Sequence, residues 1–153
     1  LKTLKENHPY EEVAYQIYIL DNEIQSVGSG LVGELDKPVD SILFLKQLKK
    51  TMNLDLVRHT NISMEKIKKI ALCGGSGSFL IDEAIYFNAD IFITSDIKYH
   101  QFFDIDNKII LADIGHYESE QFTKNLVYDY LTKKFTKFAI LLSKVNTNPI
   151  NYL

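Results

Sequence analysis

This chain has one cysteine, no long apolar run and no dense cluster of basic residues, and each absence excludes something. Cys73 has no second cysteine to pair with, so no disulfide forms within the chain and a reducing compartment is the expected setting. With no histidine beside it in sequence, Cys73 reads as a small buried hydrophobe rather than a nucleophile. The apolar runs fall well short of the roughly 20 residues a membrane-crossing helix needs. The first residues lack the layout of a signal peptide, so the expected location is cytoplasmic, with no membrane partner. Seventeen Lys and Arg against 20 Asp and Glu give a net charge of −3, which argues against a nucleic-acid surface. The chain also lacks a methionine at position 1, and the folded-looking sequence that follows directly reads as part of a longer protein.

What is present suits one globular domain. At 153 residues, with 46% hydrophobic and 24% charged residues, the chain is long enough to bury a core. The most informative stretch runs from Thr94 to Glu120. It holds two carboxylate/imidazole pairs, Asp96 with His100 and His116 with Glu120, each at a spacing that puts both side chains on one face of a helix. Imidazole nitrogen and carboxylate oxygen together bind zinc, manganese or iron, and the same groups serve as general acids and bases. A single such pair is as readily a solvated ion pair; it is the doubling, each pair following an apolar run, that points to one polar site.

The pattern along the chain predicts an α/β fold. His8-Pro9-Tyr10-Glu11-Glu12 reads as a turn into a strand over residues 13–20, with Val13, Tyr15, Ile17 and Ile19 at strand period. Gly28, Gly30 and Gly33 spell a G-x-G-x-x-G segment. Because Glu34 to Pro38 follows instead of an immediate helix, it reads as a structural turn and not a dinucleotide fingerprint. A helix is predicted from about Pro38 to Met52, its apolar stripe including Ile42, Leu45 and Leu48. Residues 54–59 form a short strand candidate ending in His59, which is given no role. Residues 67–73 read as a buried strand that runs into Gly74-Gly75-Ser76-Gly77-Ser78 and then a helix within 79–87. The loop lacks the Gly-Lys-Ser/Thr ending of a P-loop, so it reads as a border of the site or simply a tight turn.

Strands over 91–94 and 109–113 follow, then a single helix over 116–134 with Phe122, Leu126 and Tyr130 in its buried stripe, and a last strand over 138–145. Strands near Ile70, Ile93, Leu111 and Leu141 are thus expected as neighbours in a mixed, largely parallel sheet flanked by helices. In such sheets ligands gather beyond the carboxyl ends of the strands. Gly74, Asp96 and His116 all fall at such ends.

Five ordered motifs then carry a resemblance: the His8 to Glu12 segment, Gly30-Leu31-Val32-Gly33-Glu34-Leu35, Cys73 to Gly77, Thr94-Ser95-Asp96-Ile97-Lys98-Tyr99-His100, and Asp113-Ile114-Gly115-His116-Tyr117-Glu118-Ser119-Glu120. Together they resemble the NGG-interacting-factor-three-like family, also described as GTP cyclohydrolase I type 2 homologues. The resemblance implies a two-metal site in a ring-shaped homohexamer, with His116 and Glu120 matching the family's C-terminal pair of metal ligands. Asp96 and His100 match a motif lining the same cleft, where a catalytic role by proton transfer or by supporting the ligands is implied. The remaining ligands, a tandem His-His and an Asp, belong to an N-terminal half outside this chain.

The same resemblance makes residues 1–25 the remnant of an inserted α+β domain and 26–153 the C-terminal part of the metal-binding core, half of a two-lobed structure. Ser95 stands where the family commonly has glycine. The implied function is divalent-metal binding, with two ions per intact subunit, in a dinuclear-metal hydrolase acting on a nucleotide-like or other small molecule. The alternative is a non-catalytic metal-binding or regulatory assembly module.

Overall fold

Five strands form a single mixed sheet in the order β1-β3-β4-β5-β2, in a computed structural model that describes residues 1–18 and 27–153. The strands are β1 (Leu31–Asp40), β2 (Arg58–His59), β3 (Lys66–Ser76), β4 (Ile91–Ser95) and β5 (Ile110–Asp113). The helices are α1 (Lys2–Asn7), α2 (Ser41–Thr51), α3 (Ile81–Tyr86), α4 (Gln101–Asp104), α5 (His116–Glu120) and α6 (Thr123–Lys134), with a 3₁₀ turn at Ser78–Leu80 before α3. β3, β4 and β5 run parallel in the centre, while β1 pairs antiparallel with β3 and β2 antiparallel with β5.

β4 and β5 are apolar up to their carboxyl-terminal residues because helices and loops cover both faces of the sheet. Every residue of β4 and β5 is buried. Strand alternation then divides them between two layers. Phe92 and Leu111 face a cluster with Ala71, Cys73, Ile81, Ala84 and Ile105, whereas Ile91, Ile93, Ile110 and Ala112 face Leu45, Leu54, Ile67 and Ile114.

Gly28 and Gly30 lie before β1, with a bend at 29–30, while Gly33 falls within the strand, and Pro38 also lies within β1 rather than opening a helix. A sheet edge tolerates proline because its missing N–H faces away from the ladder, and the β1–β3 register shifts between Glu34 and Val39, around that proline. The helix starts three residues later than Pro38. The Asp40 carboxylate caps it by accepting a hydrogen bond from the Leu43 N–H at 2.8 Å, and the Ser41 hydroxyl donates to the Met64 carbonyl at 2.6 Å.

Three other expectations are corrected. Residues 13–18 form no strand, since among the described residues no neighbouring strand offers them a ladder; the remainder of that predicted strand, 19–20, lies outside the described residues. Residues 138–145 form none either, and Leu141 is 90% exposed. The place beside β5 that they were expected to fill is held by β2, where Arg58 pairs with Asp113. Finally, the helix predicted over 116–134 divides into α5 and α6 at Gln121 and Phe122, and α6 buries no residue: Leu126 is 70% exposed. Among the described residues, no helix is long and apolar enough to cross a membrane.

Candidate functional site

The carboxyl ends of the three parallel strands converge, and the loops leaving them carry the polar residues. After β4 the chain turns sharply at Asp96, which adopts a left-handed conformation (φ 58°) that aspartate tolerates better than most residues. This turn keeps Asp96 and His100 from sharing a helix face, the arrangement their spacing would allow. Ser95 before it is fully buried, and its hydroxyl donates to the Gly75 carbonyl at 2.5 Å, so a side chain at this position is used to tie the end of β3 to the end of β4. After β5, Gly115 (φ 88°) allows the chain to reverse into α5, which starts at His116.

Asp96 and His116 meet across these two loops, with 2.6 Å between the Asp96 Oδ2 and the His116 Nδ1. A carboxylate can only accept, so Nδ1 carries the proton and donates, which leaves the Nε2 lone pair free in the neutral imidazole. Nε2 lies 3.5 Å from the Glu120 Oε2, one helical turn along. All three side chains are about half exposed, so the group opens to solvent. The hydrogen bond to Asp96 raises the His116 pKa above the ordinary imidazole value; partial burial opposes the rise, and the negative charges of Asp96 and Glu120 add to it.

A raised imidazole pKa stabilises the fold fully below the ordinary value of about 6.5, and that contribution is lost as pH rises through the raised one. The expected result in the metal-free chain is a His116 titration midpoint, read by NMR, that moves down in Asp96→Asn. A midpoint unmoved by that substitution would show that the Asp96 bond is not its cause.

Gly75, at the carboxyl end of β3, closes over the same two residues. Its backbone is left-handed (φ 65°), and a Cβ there would stand 2.6 Å from the Glu120 Oε1 and 3.4 Å from the His116 Nε2. Its N–H donates to the Ser119 hydroxyl at 2.7 Å, and that hydroxyl donates to the His116 carbonyl at 2.8 Å. The glycine loop therefore borders the site, one of the two readings open from sequence. Gly75→Ala should lose about 1–2 kcal/mol of stability from backbone conformation alone and should also displace the Glu120 carboxylate. Urea unfolding checks the first effect, and a midpoint equal to that of the parent would refute it.

The residues match the family of Duf34/NIF3 (NGG1p interacting factor 3) over 2–149. The chain belongs to this family. A GTP cyclohydrolase 1 type 2 homolog of Staphylococcus epidermidis is 34% identical over 155 residues, covering 99% of this chain and 42% of that protein. The homolog from Listeria innocua is 32% identical over 160 residues with the same coverage. Among solved structures, a Bacillus cereus protein related to NIF3 superposes with a TM-score of 0.72 at 28% identity over 99% of this chain and 43% of its own. A Staphylococcus aureus protein gives a TM-score of 0.74 at 30% identity over 99% of this chain and 50% of its own. The chain thus spans about 42% of the length of the curated relatives it matches.

Within this NIF3-family chain, the donor set fits part of a divalent-metal site. A free imidazole nitrogen and a carboxylate converge, the imidazole is oriented by a second carboxylate as metal-binding histidines commonly are, and a glycine leaves room beside both. The set is not complete by itself: among the described residues, no group of three or more His, Cys, Asp or Glu is arranged to hold a metal ion. His100, expected to share a helix face with Asp96, instead lies at the residue preceding α4, its ring stacked edge-on against Tyr99 at 5.5 Å between centroids. It makes no hydrogen bond or ion pair with Asp96, His116 or Glu120 among the described residues.

Two residues that the sequence reading gave no role prove structurally central. The buried Asp113 at the end of β5 accepts from the Ile97 N–H at 3.0 Å through Oδ2 and from the Gly115 N–H at 3.1 Å through Oδ1, and it pairs with Arg58. It thereby fixes both loops that bring Asp96 and His116 together. Glu118 is buried against Gly115, where any Cβ would collide with its carboxylate, and its Oε1 accepts from the Asn148 side-chain amide at 3.2 Å. Asp113 ends an apolar run directly before the turn to His116, a signal visible in the sequence. Glu118 offered none, since its burial depends on residues 30 positions later.

Proposed function

We propose that this chain supplies His116 and Glu120 as ligands to a divalent-metal centre that is completed by residues outside it, with Asp96 orienting the His116 ring. The observation that carries the reading is the hydrogen bond from Nδ1 to Asp96, which leaves the Nε2 lone pair free 3.5 Å from the Glu120 Oε2. Family membership supports it, as does the resemblance that assigns the remaining ligands to the N-terminal half of the protein. In the intact protein the centre holds two ions of zinc, manganese or iron. Bound metal would supply Lewis-acid activation of water and stabilise a leaving oxygen, so the reaction class is hydrolysis of a nucleotide-like or other small molecule. The chain's own part is to hold and orient the two ligands, to keep Nδ1 protonated and donating to Asp96, and to leave the site open on one side.

The intact protein is proposed to assemble as a cytoplasmic, ring-shaped hexamer. The exposed apolar side chains of α6, Leu126 and Tyr130 among them, are consistent with a partner surface there. A non-catalytic metal-binding or regulatory assembly module is the second reading. A hydrolase screen on the metal-loaded intact protein separates the two: turnover that disappears with the metal selects the enzyme, and metal held without turnover of any substrate class selects the module. For the isolated chain the expected result is weak metal binding, because even an open catalytic site usually takes three protein ligands. Tight, stoichiometric binding of two ions by this chain alone would refute the assignment of the other ligands to a missing half.

A further inference from the structure

The cavity beside His116 and Glu120 carries chemistry that metal binding does not use. It has a volume of about 460 Å³ and lies between α5, the first turn of α6 and residues 145–150; its lining includes His116, Glu120, Lys124, Asn148, Val145 and Ile150. That size suits a small organic molecule, and the lining mixes apolar contacts with a few polar groups, as ligand sites do. Lys124 contributes the one ammonium in the lining, and no carboxylate lies within ion-pair distance of it among the described residues. It also sits in the first turn of α6, where a cation works against the helix dipole, so helix stability does not account for its placement.

The wall formed by 145–150 is held in place. The Asn148 side-chain amide donates to the buried Glu118 at 3.2 Å, and its carbonyl oxygen accepts from the Ile150 N–H at 3.1 Å. We propose that Lys124 is a substrate-recognition residue, and that the cavity takes a small organic anion whose phosphate or carboxylate group sits against its ammonium. The body of the ligand packs on Val145 and Ile150, and the bond to be changed faces His116 and Glu120. This inference rests on the reading of those two residues as metal ligands. An unpaired ammonium beside an apolar surface selects for a negative group on a partly apolar body, and a neutral ligand would leave it unused.

The test titrates phenyl phosphate and benzoate, separately, into the intact metal-loaded protein and its Lys124→Ala and Lys124→Arg variants by calorimetry, with metal content measured on the same samples. At least one of the two anions should bind the parent, and which one binds distinguishes phosphate from carboxylate recognition. Lys124→Ala should weaken that binding about tenfold or more, as loss of one charge-assisted hydrogen bond would. Lys124→Arg should retain most of it, and metal content should match the parent in both. Failure of both anions to bind the parent, or an unchanged affinity in Lys124→Ala, would overturn the proposal. The metal assay reads the underlying assignment separately: a parent without metal refutes the metal centre, whereas full metal with unchanged anion affinity refutes Lys124 alone.

Discussion

His116→Ala is expected to remove most of the bound metal from the intact protein, the largest functional effect of any substitution in this chain. The imidazole is held with Nδ1 committed to Asp96 and Nε2 turned toward Glu120, so its removal deletes one donor and the group that faces the other. Asp96→Asn should do less. An amide at 96 can still meet the ring, but it no longer demands a protonated Nδ1, and loss of such a supporting carboxylate typically lowers metal affinity or activity about 10- to 100-fold. His100→Ala then separates two expectations. A role in the same cleft predicts a loss like that of Asp96→Asn, whereas the observed position of the ring against Tyr99 predicts metal affinity close to that of the parent. Metal content and affinity of the three variants decide the order, and parental affinity in His116→Ala would require the site to be abandoned.

The largest effect on stability is expected at Asp113. Replacing it by alanine strands two N–H groups, the buried one of Ile97 and the half-buried one of Gly115, and each unsatisfied buried donor costs about 1–3 kcal/mol. The Arg58 partner is half exposed and can return to water, so its ion pair adds little. A total loss of about 2–4 kcal/mol is expected from urea unfolding, on the basis of the two stranded donors. Asp113→Asn, which keeps one accepting oxygen, should fall between the parent and the alanine variant. The same substitution should weaken metal binding in the intact protein, because the loops that place Asp96 and His116 are both tied to this carboxylate. An Asp113→Ala variant as stable as the parent would show that those loops are held by packing alone.

Why the loops depend on one buried carboxylate follows from their backbone. Asp96 and Gly115 both adopt positive φ, conformations that persist only where neighbouring structure fixes them. Glu118, buried beneath Gly115 and tied to Asn148, closes the other side of that turn. The site is thus held by groups that touch no ligand, and the ligand pair itself stays open.

Local pattern was enough to determine the centre of the sheet. Strands buried on both faces are mainly apolar, so β4 and β5 stand out as short hydrophobic runs, and the polar residues that end and follow them fall at the carboxyl ends whatever the rest of the chain does. The family was likewise legible, because five motifs in order carry more information than any spacing. What the sequence did not determine is who pairs with whom. Asp96 and His100 have helical spacing, yet Asp96 turns to His116, 20 residues away, because its backbone is left-handed (φ 58°) and the Asp113 carboxylate ties down the Ile97 N–H that follows. The place beside β5 went to β2 and not to residues 138–145, and the stretch around Pro38, expected to open a helix, became part of edge strand β1 through its ladder with β3. Each of these outcomes rests on hydrogen bonds between residues far apart in the chain, where strand and loop propensities are nearly silent and only the tertiary arrangement supplies the partner.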